Sequence, residues 1–251
     1  MNHTNCLNCN HHLAAPYCSN CGQKASTHRY SVLHFIEHDL IHGILHIDKG
    51  LLYTIKALFT RPGHSIREFI QGKRVNHFNY VTLLIIILGV THFISSFSPI
   101  TLTDIVPESS KAAMSQIEAF STKYPKALLL FMIPAYSIFT YLWFGKAKMN
   151  GTEHIVMNAY KSAGELILGI LFIIITIFYR NKEMLYLIYS LTSGLLSTIY
   201  AAWFYYQYFS VFGYKKYSLL LRSIMVLVSV LLLPLVIGLI AGLIKAYIMH
   251  K

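Results

Sequence analysis

All four cysteines of this 251-residue chain lie within its first 21 residues. Cys6-Leu-Asn-Cys9 and Cys18-Ser-Asn-Cys21 form two C-x2-C pairs separated by eight residues. Two tight turns of this kind bring four thiolates to the corners of a tetrahedron, the arrangement Zn²⁺ takes with sulfur. Gly22, directly after the last cysteine, permits the backbone bend that aims amides at sulfur. The spacing predicts a minimal zinc knuckle over residues 1–28, with almost no core and folded by one Zn²⁺ per chain. With Cys6, Cys9, Cys18 and Cys21 filling every position, the metal has no open place for substrate, so its role is structural. The competing reading, a redox dithiol pair, lacks the βαβ pattern that would surround it.

A second group that could do chemistry follows. His34, His38, His42 and His46 recur every four residues, which stacks neighbouring imidazoles on one stripe of a helix. Leu33, Ile36, Leu40, Ile44 and Ile47 form the apolar face beside them, so the segment reads as an amphipathic helix lying along the membrane interface. The default reading of the histidines is a solvated stripe. The alternative is a second metal site, which in turn would allow a metal-dependent membrane enzyme. Three further ionisable residues sit inside apolar runs: His92, Glu165 and Arg222. Such groups are functional candidates by default. Glu165 and Arg222 are expected near the same membrane face, where they can snorkel or pair with each other.

The elements that must carry these residues follow from composition. Hydrophobic residues make up 55% of the chain and charged ones only 12%, with a mean hydropathy of +0.51. That is about half the charge a soluble domain carries, which excludes ordinary soluble enzymes, secreted disulfide scaffolds and disordered tails. An all-α membrane protein is the expected class. Runs almost free of Asp, Glu, Lys and Arg predict five transmembrane helices, near 81–99, 127–145, 162–179, 185–206 and 219–244. A short helix near Ser109–Phe120 is expected in the longest connection.

The net charge is +11. Eight Lys and Arg precede the first span, and fourteen of the 21 fall on the same face if the spans alternate. The positive-inside rule then places the N-terminus in the cytoplasm and the C-terminus outside; a third segment that failed to span would return the C-terminus inside. The N-terminus lacks the basic start and apolar run of a signal peptide.

Residues 29–79 are read as amphipathic interfacial helices. Short helices are expected over Leu51–Phe59 and His64–Gln71, with Asp48 and Pro62 at their starts. Lys49, Lys56, Arg61, Arg67, Lys73 and Arg74 form a basic collar at headgroup depth, where anionic lipid attracts each by about 1 kcal/mol. Residues 80–251 form the transmembrane domain.

In this stretch Asp48-Lys49-Gly50, Thr54, Arg61-Pro62-Gly63, Arg67-Glu68 and Gly72-Lys73-Arg74 resemble a family of uncharacterised bacterial membrane proteins, a domain of unknown function. Its members carry a short four-cysteine ribbon before several hydrophobic helices, and Cys18-Ser-Asn-Cys21-Gly22-Gln23-Lys24 looks like the end of that ribbon. The resemblance covers residues 6–80. It implies a bacterial inner-membrane location and a metal-bearing head, and carries over no activity and no catalytic residue.

Catalytic groups are scarce, so the expected function is a non-enzymatic adaptor whose cytoplasmic knuckle and collar dock a protein partner or membrane lipids. The rival is a small transporter or channel component built from the spans, as a homo-oligomer. Nucleic acid is not an expected partner, because residues 1–24 carry one Lys and no Arg.

Overall fold

A computed structural model describes residues 4–27 and 50–249 of the chain. Among these residues it is all-helical, with no strand and two isolated β-bridges in the knuckle. The expected interfacial helix with His34, His38, His42 and His46, together with Asp48 and Lys49, lies outside the described residues.

α1 (Gly50–Thr60) and α2 (Pro62–Ile70) follow the expected segments, with Pro62 opening α2, where its missing N–H costs nothing. α3 (Tyr80–Ser95) starts at Asn79, whose side-chain oxygen accepts from Val81 N at 2.8 Å and Thr82 N at 3.3 Å. α4 (Leu102–Ile105) and α5 (Glu108–Lys123) occupy the long connection. α6 runs from Pro125 to Trp143 and α7 from Gly151 to Phe178. α8 (Lys182–Tyr189) continues through a π-helical stretch, Ser190–Leu196, into α9 (Ser197–Phe209). α10 is Lys216–Met249.

Three of these helices are long and apolar enough to cross a membrane: α7, the continuous Lys182–Phe209 helix, and Lys216–Leu235 of α10. The first expected span, 81–99, differs. α3 has 16 residues, about 24 Å at 1.5 Å per residue against a hydrocarbon core of about 30 Å. Its polar end, Ser95-Ser96, ends the helix before the run of uncharged residues does. The third differs in the other direction. α7 begins eleven residues before the expected 162, because Asn150 and Glu153 form a capping box: Glu153 N donates to Asn150 Oδ1, and Asn150 N donates to Glu153 Oε2, both at 2.9 Å.

The core lies where α1, α2 and α3 pack on α7 and α9. Leu58, Ile66, Phe69, Phe78, Tyr80 and Leu83 meet Tyr160, Phe204, Tyr205, Tyr208 and Phe209 there. At the crossing of α2 and α9 the backbones nearly touch: a Cβ on Gly63 would lie 2.2 Å from Tyr208 N. Large apolar side chains also face outward, among them Phe131, Ile138, Phe178, Leu231, Leu235 and Leu239. On α10 they recur every four residues, a stripe that costs nothing in lipid and would be costly in water.

Candidate functional site

The knuckle is a pseudo-repeat. Each C-x2-C turn is closed by the same bonds: Cys6 N donates to His11 O and Asn10 N to Cys6 O, while Cys18 N donates to Gln23 O and Gly22 N to Cys18 O, all at 2.8 Å. The residue after each second cysteine is left-handed, Asn10 at φ 60° and Gly22 at φ 76°; after glycine, asparagine is among the residues that tolerate this region best. Only Gly22 was singled out in the sequence, and the equivalent place of Asn10 after Cys9 was the available signal. The four Sγ atoms lie within 4.8 Å of one another. Cys6–Cys21 and Cys9–Cys18 are both 3.6 Å apart, close to the edge of about 3.8 Å of a tetrahedron with metal–sulfur bonds of about 2.3 Å. The cluster can therefore hold a metal ion. A hydrogen bond with Asn20 draws the Cys9 thiol down to about 6, whereas burial pushes Cys21 up to about 11.

A second constellation lies inside the helical bundle. His154, Asn158, Lys161 and Glu165 fall on one side of α7 at steps of four, three and four, and the first three are buried. His154 Nδ1 lies 2.9 Å from Thr140 Oγ1, Asn158 Nδ2 donates to the same oxygen at 3.1 Å, and Tyr205 OH donates to Asn158 Oδ1 at 2.7 Å. Further along, Lys161 Nζ is 2.8 Å from Glu165 and 3.2 Å from the centroid of the Tyr136 ring. Glu165 opens onto a cavity of about 700 Å³ that it shares with Thr91, Ser95, Tyr136, Ser193 and Ser197. α4 and α5 rim this cavity, and the Glu118 carboxylate there accepts from the amides of Leu102 (3.2 Å) and Thr103 (3.3 Å).

Of the two alternatives for Glu165 and Arg222, snorkelling or pairing with each other, the pairing is not found. The early start of α7 puts Glu165 at mid-helix, against Lys161, while Arg222 donates to Trp143 O and to Ser218 Oγ and stacks over Tyr214. Lys161, one residue before the expected third span, is fully buried. The polar spacing 154, 158, 161, 165 in an apolar helix was the signal that could have found this column. His92 is exposed on α3.

The segment between knuckle and bundle is built from the residues that carried the resemblance. Phe78 N donates to Thr54 Oγ1 at 2.8 Å and Tyr160 OH to Phe78 O at 2.6 Å, tying α1 and the loop before α3 to α7. Gly63 N donates to Gln207 Oε1 at 3.2 Å, and Arg67 Nη1 to the carbonyls of Gln207 and Tyr208 at 3.0 Å each. A guanidinium at the C-terminal carbonyls of α9 satisfies groups that the helix leaves without partners. Gly72-Lys73-Arg74 is the seat of the knuckle: Leu7 packs on Gly72, and Arg74 N donates to Gln23 Oε1 at 3.1 Å.

Residues 48–91 match a family described as a protein of unknown function, DUF3667. No curated protein and no solved structure matches the chain. The matched stretch holds α1, α2 and most of α3, so the similarity to DUF3667 falls on residues that join elements to one another. The match gives neither a bacterial source nor the four-cysteine ribbon.

Of the collar residues described, Lys56, Arg61 and Lys73 are exposed. Arg61 pairs with Glu68, Arg67 clamps α9, and Arg74 stacks on the Phe69 ring at 5.6 Å. His64, beside Arg67 at 3.1 Å, is held below its ordinary range by burial and by that cation.

Proposed function

We propose that this protein is a small solute transporter or channel component of the bacterial inner membrane, with its N-terminal knuckle in the cytoplasm. The observation that carries the reading is the cavity of about 700 Å³ among α3, α6, α7 and the Ser190–Leu196 stretch, with Glu165 on its wall. Its volume lies within the range of about 300–1,000 Å³ that suits a small molecule, and an ionisable group at mid-helix in a spanning segment is costly to keep without a use. π-helical stretches often sit at functional sites, and this one lines the cavity through Ser193.

The knuckle holds one Zn²⁺, the metal whose structural sites are closed tetrahedra of four cysteine thiolates, and fixes the Gly72–Arg74 segment against the bundle. The adaptor expectation is not carried into this reading, since Arg67 and Arg74 are engaged within the fold.

Proteoliposomes loaded with a panel of anionic, neutral and cationic labelled solutes test the reading. At least one class should cross faster than in protein-free vesicles, and Glu165→Gln should reduce that flux about tenfold or more. Elemental analysis of the same preparation should give one zinc per chain. Flux equal to that of empty vesicles for every class would contradict the reading.

A further inference from the structure

Lys161 and Glu165 are not equivalent neighbours of the cavity. The Glu165 side chain is 20% exposed and lines it, whereas the Lys161 side chain is fully buried behind it and does not. A solute entering the cavity therefore meets a carboxylate, with the compensating ammonium out of reach. Around that carboxylate the walls are apolar and aromatic: Leu166, Phe172, Ile173, Met132 and Tyr189. Hydroxyls of Thr91 and Ser95 from α3, and of Ser193 and Ser197, add to the lining, and a second carboxylate, Glu118 of α5, lies at the rim, held by the amides of Leu102 and Thr103.

The ammonium is thinly held. Lys161 Nζ lies between the Glu165 carboxylate at 2.8 Å and the face of the Tyr136 ring at 3.2 Å. Among the described residues it has no further hydrogen-bond partner, although an ammonium carries three donors. The groups that face the pair from neighbouring helices are neutral phenols: Tyr136 of α6, and Tyr200 and Tyr205 of α9, both within electrostatic range of Glu165. His92 of α3 is exposed and α8 contributes Tyr189. Within the pair one negative charge thus balances one positive charge in a low-dielectric setting, while the Glu118 carboxylate at the rim is engaged by the Leu102 and Thr103 amides. A second cation beside Glu165 would leave an uncompensated charge there, which such surroundings penalise by several kcal/mol. A buried lysine relieves that penalty by releasing its proton.

We propose that the cavity binds a lipophilic organic cation against Glu165, in exchange for the proton carried by Lys161. In this step one N–H bond of the Lys161 ammonium breaks, its electron pair stays on nitrogen, and the proton passes along the 2.8 Å contact to the Glu165 carboxylate, which hands it on to cavity water. The net charge of the site is unchanged. Glu165 is a carboxylate before and after the exchange, first paired with Lys161 and then with the solute, and the Tyr136 ring lines the same cavity. An anionic solute has no such place, because the ammonium does not reach the cavity.

The proposal rests on the solute-binding reading above and narrows it to a substrate class and a coupled ion. Tetraphenylphosphonium is a suitable probe, since it keeps its charge at every pH. Calorimetric titration of the zinc-loaded full chain in detergent, in two buffers of different ionisation enthalpy, reads affinity and proton release together. The expected result is saturable binding with about one proton released per cation, and an affinity that rises about tenfold per pH unit while Lys161 is protonated. Glu165→Gln should weaken binding about tenfold or more. Lys161→Met should bind more tightly than wild type and release no proton. The uncharged double variant Lys161→Met/Glu165→Gln, which strands no charge, should not bind, and it separates loss of the site from loss of the fold. Wild-type affinity independent of pH, or unchanged in Glu165→Gln, would overturn the exchange. If the probe does not bind while a neutral or anionic solute shows Glu165-dependent flux, this proposal falls and the solute-binding reading stands. If neither is seen, both fall.

Discussion

Two glycines, Gly63 and Gly164, each let a neighbour occupy the volume of a side chain. A Cβ on Gly164 would lie 2.0 Å from the Tyr200 hydroxyl and 2.5 Å from its ring carbon. A Cβ on Gly63 would meet the α9 backbone itself, 2.3 Å from Phe204 O, and push apart the crossing at which Gly63 N bonds Gln207. A ring can tilt, whereas a helix backbone must move as a unit. Gly63→Ala should therefore cost more than Gly164→Ala, about 3 kcal/mol or more against about 1–2 kcal/mol. Thermal unfolding of the two variants in detergent checks the order; equal melting temperatures for both and for wild type would refute it. Neither role was visible in the chain, because Gly63 in Arg-Pro-Gly reads as a turn residue and Gly164 as one small residue in a long apolar helix.

At the scale of elements, the loop before α3 is held by His77, which makes the packing of α1 and α2 sensitive to acid. His77 Nε2 lies 2.8 Å from Ser65 Oγ, and its ring meets Tyr53 and Phe69. Burial lowers its pKa from 6.5 to about 4. The folded protein thus keeps His77 neutral in a range where the unfolded chain protonates it, so the unfolded state binds more protons between those values. Stability from this group is complete above about pH 6.5 and is lost as pH falls toward 4, by up to about 3 kcal/mol. Replacing it, as in His77→Gln, should flatten the acid limb of the stability profile between pH 6.5 and 4, as measured by chemical denaturation. A limb as steep as that of wild type would assign the acid sensitivity elsewhere.

Elements of this kind were partly legible. The cysteine spacing foretold the cluster, and Pro62 foretold the start of α2, because both signals are local in sequence. The true start of α7 was also local, in Asn150 and Glu153, yet Lys161 masked it: a lysine in an apolar run reads as a loop until its partner is known. That partner, Glu165, was taken instead for an anchor at a helix end, and the phenol of Tyr136 that completes the pair comes from another helix. Contacts between helices are set by packing, which the spacing along one helix does not encode.

For the whole molecule, the opposed ends of the bundle carry different chemistry. The knuckle rests on Gly72–Arg74, near the start of α7 and the end of α9, while the cavity lies along the C-terminal half of α7, with α4 and α5 at its rim. Among the described residues, three helices are long and apolar enough to cross a bilayer. If these helices cross the bilayer as proposed, the cavity is expected to open on the side away from the knuckle. Sealed vesicles of known orientation test this arrangement most directly. In zinc-loaded protein a cysteine is placed at Ser193 on the cavity wall, or at exposed Lys73 beside the knuckle, and modification by a membrane-impermeant maleimide is read by peptide mass spectrometry. The account predicts that Ser193→Cys is labelled from one side and Lys73→Cys from the other. Labelling of both from the same side, or of Ser193→Cys from neither, would contradict it.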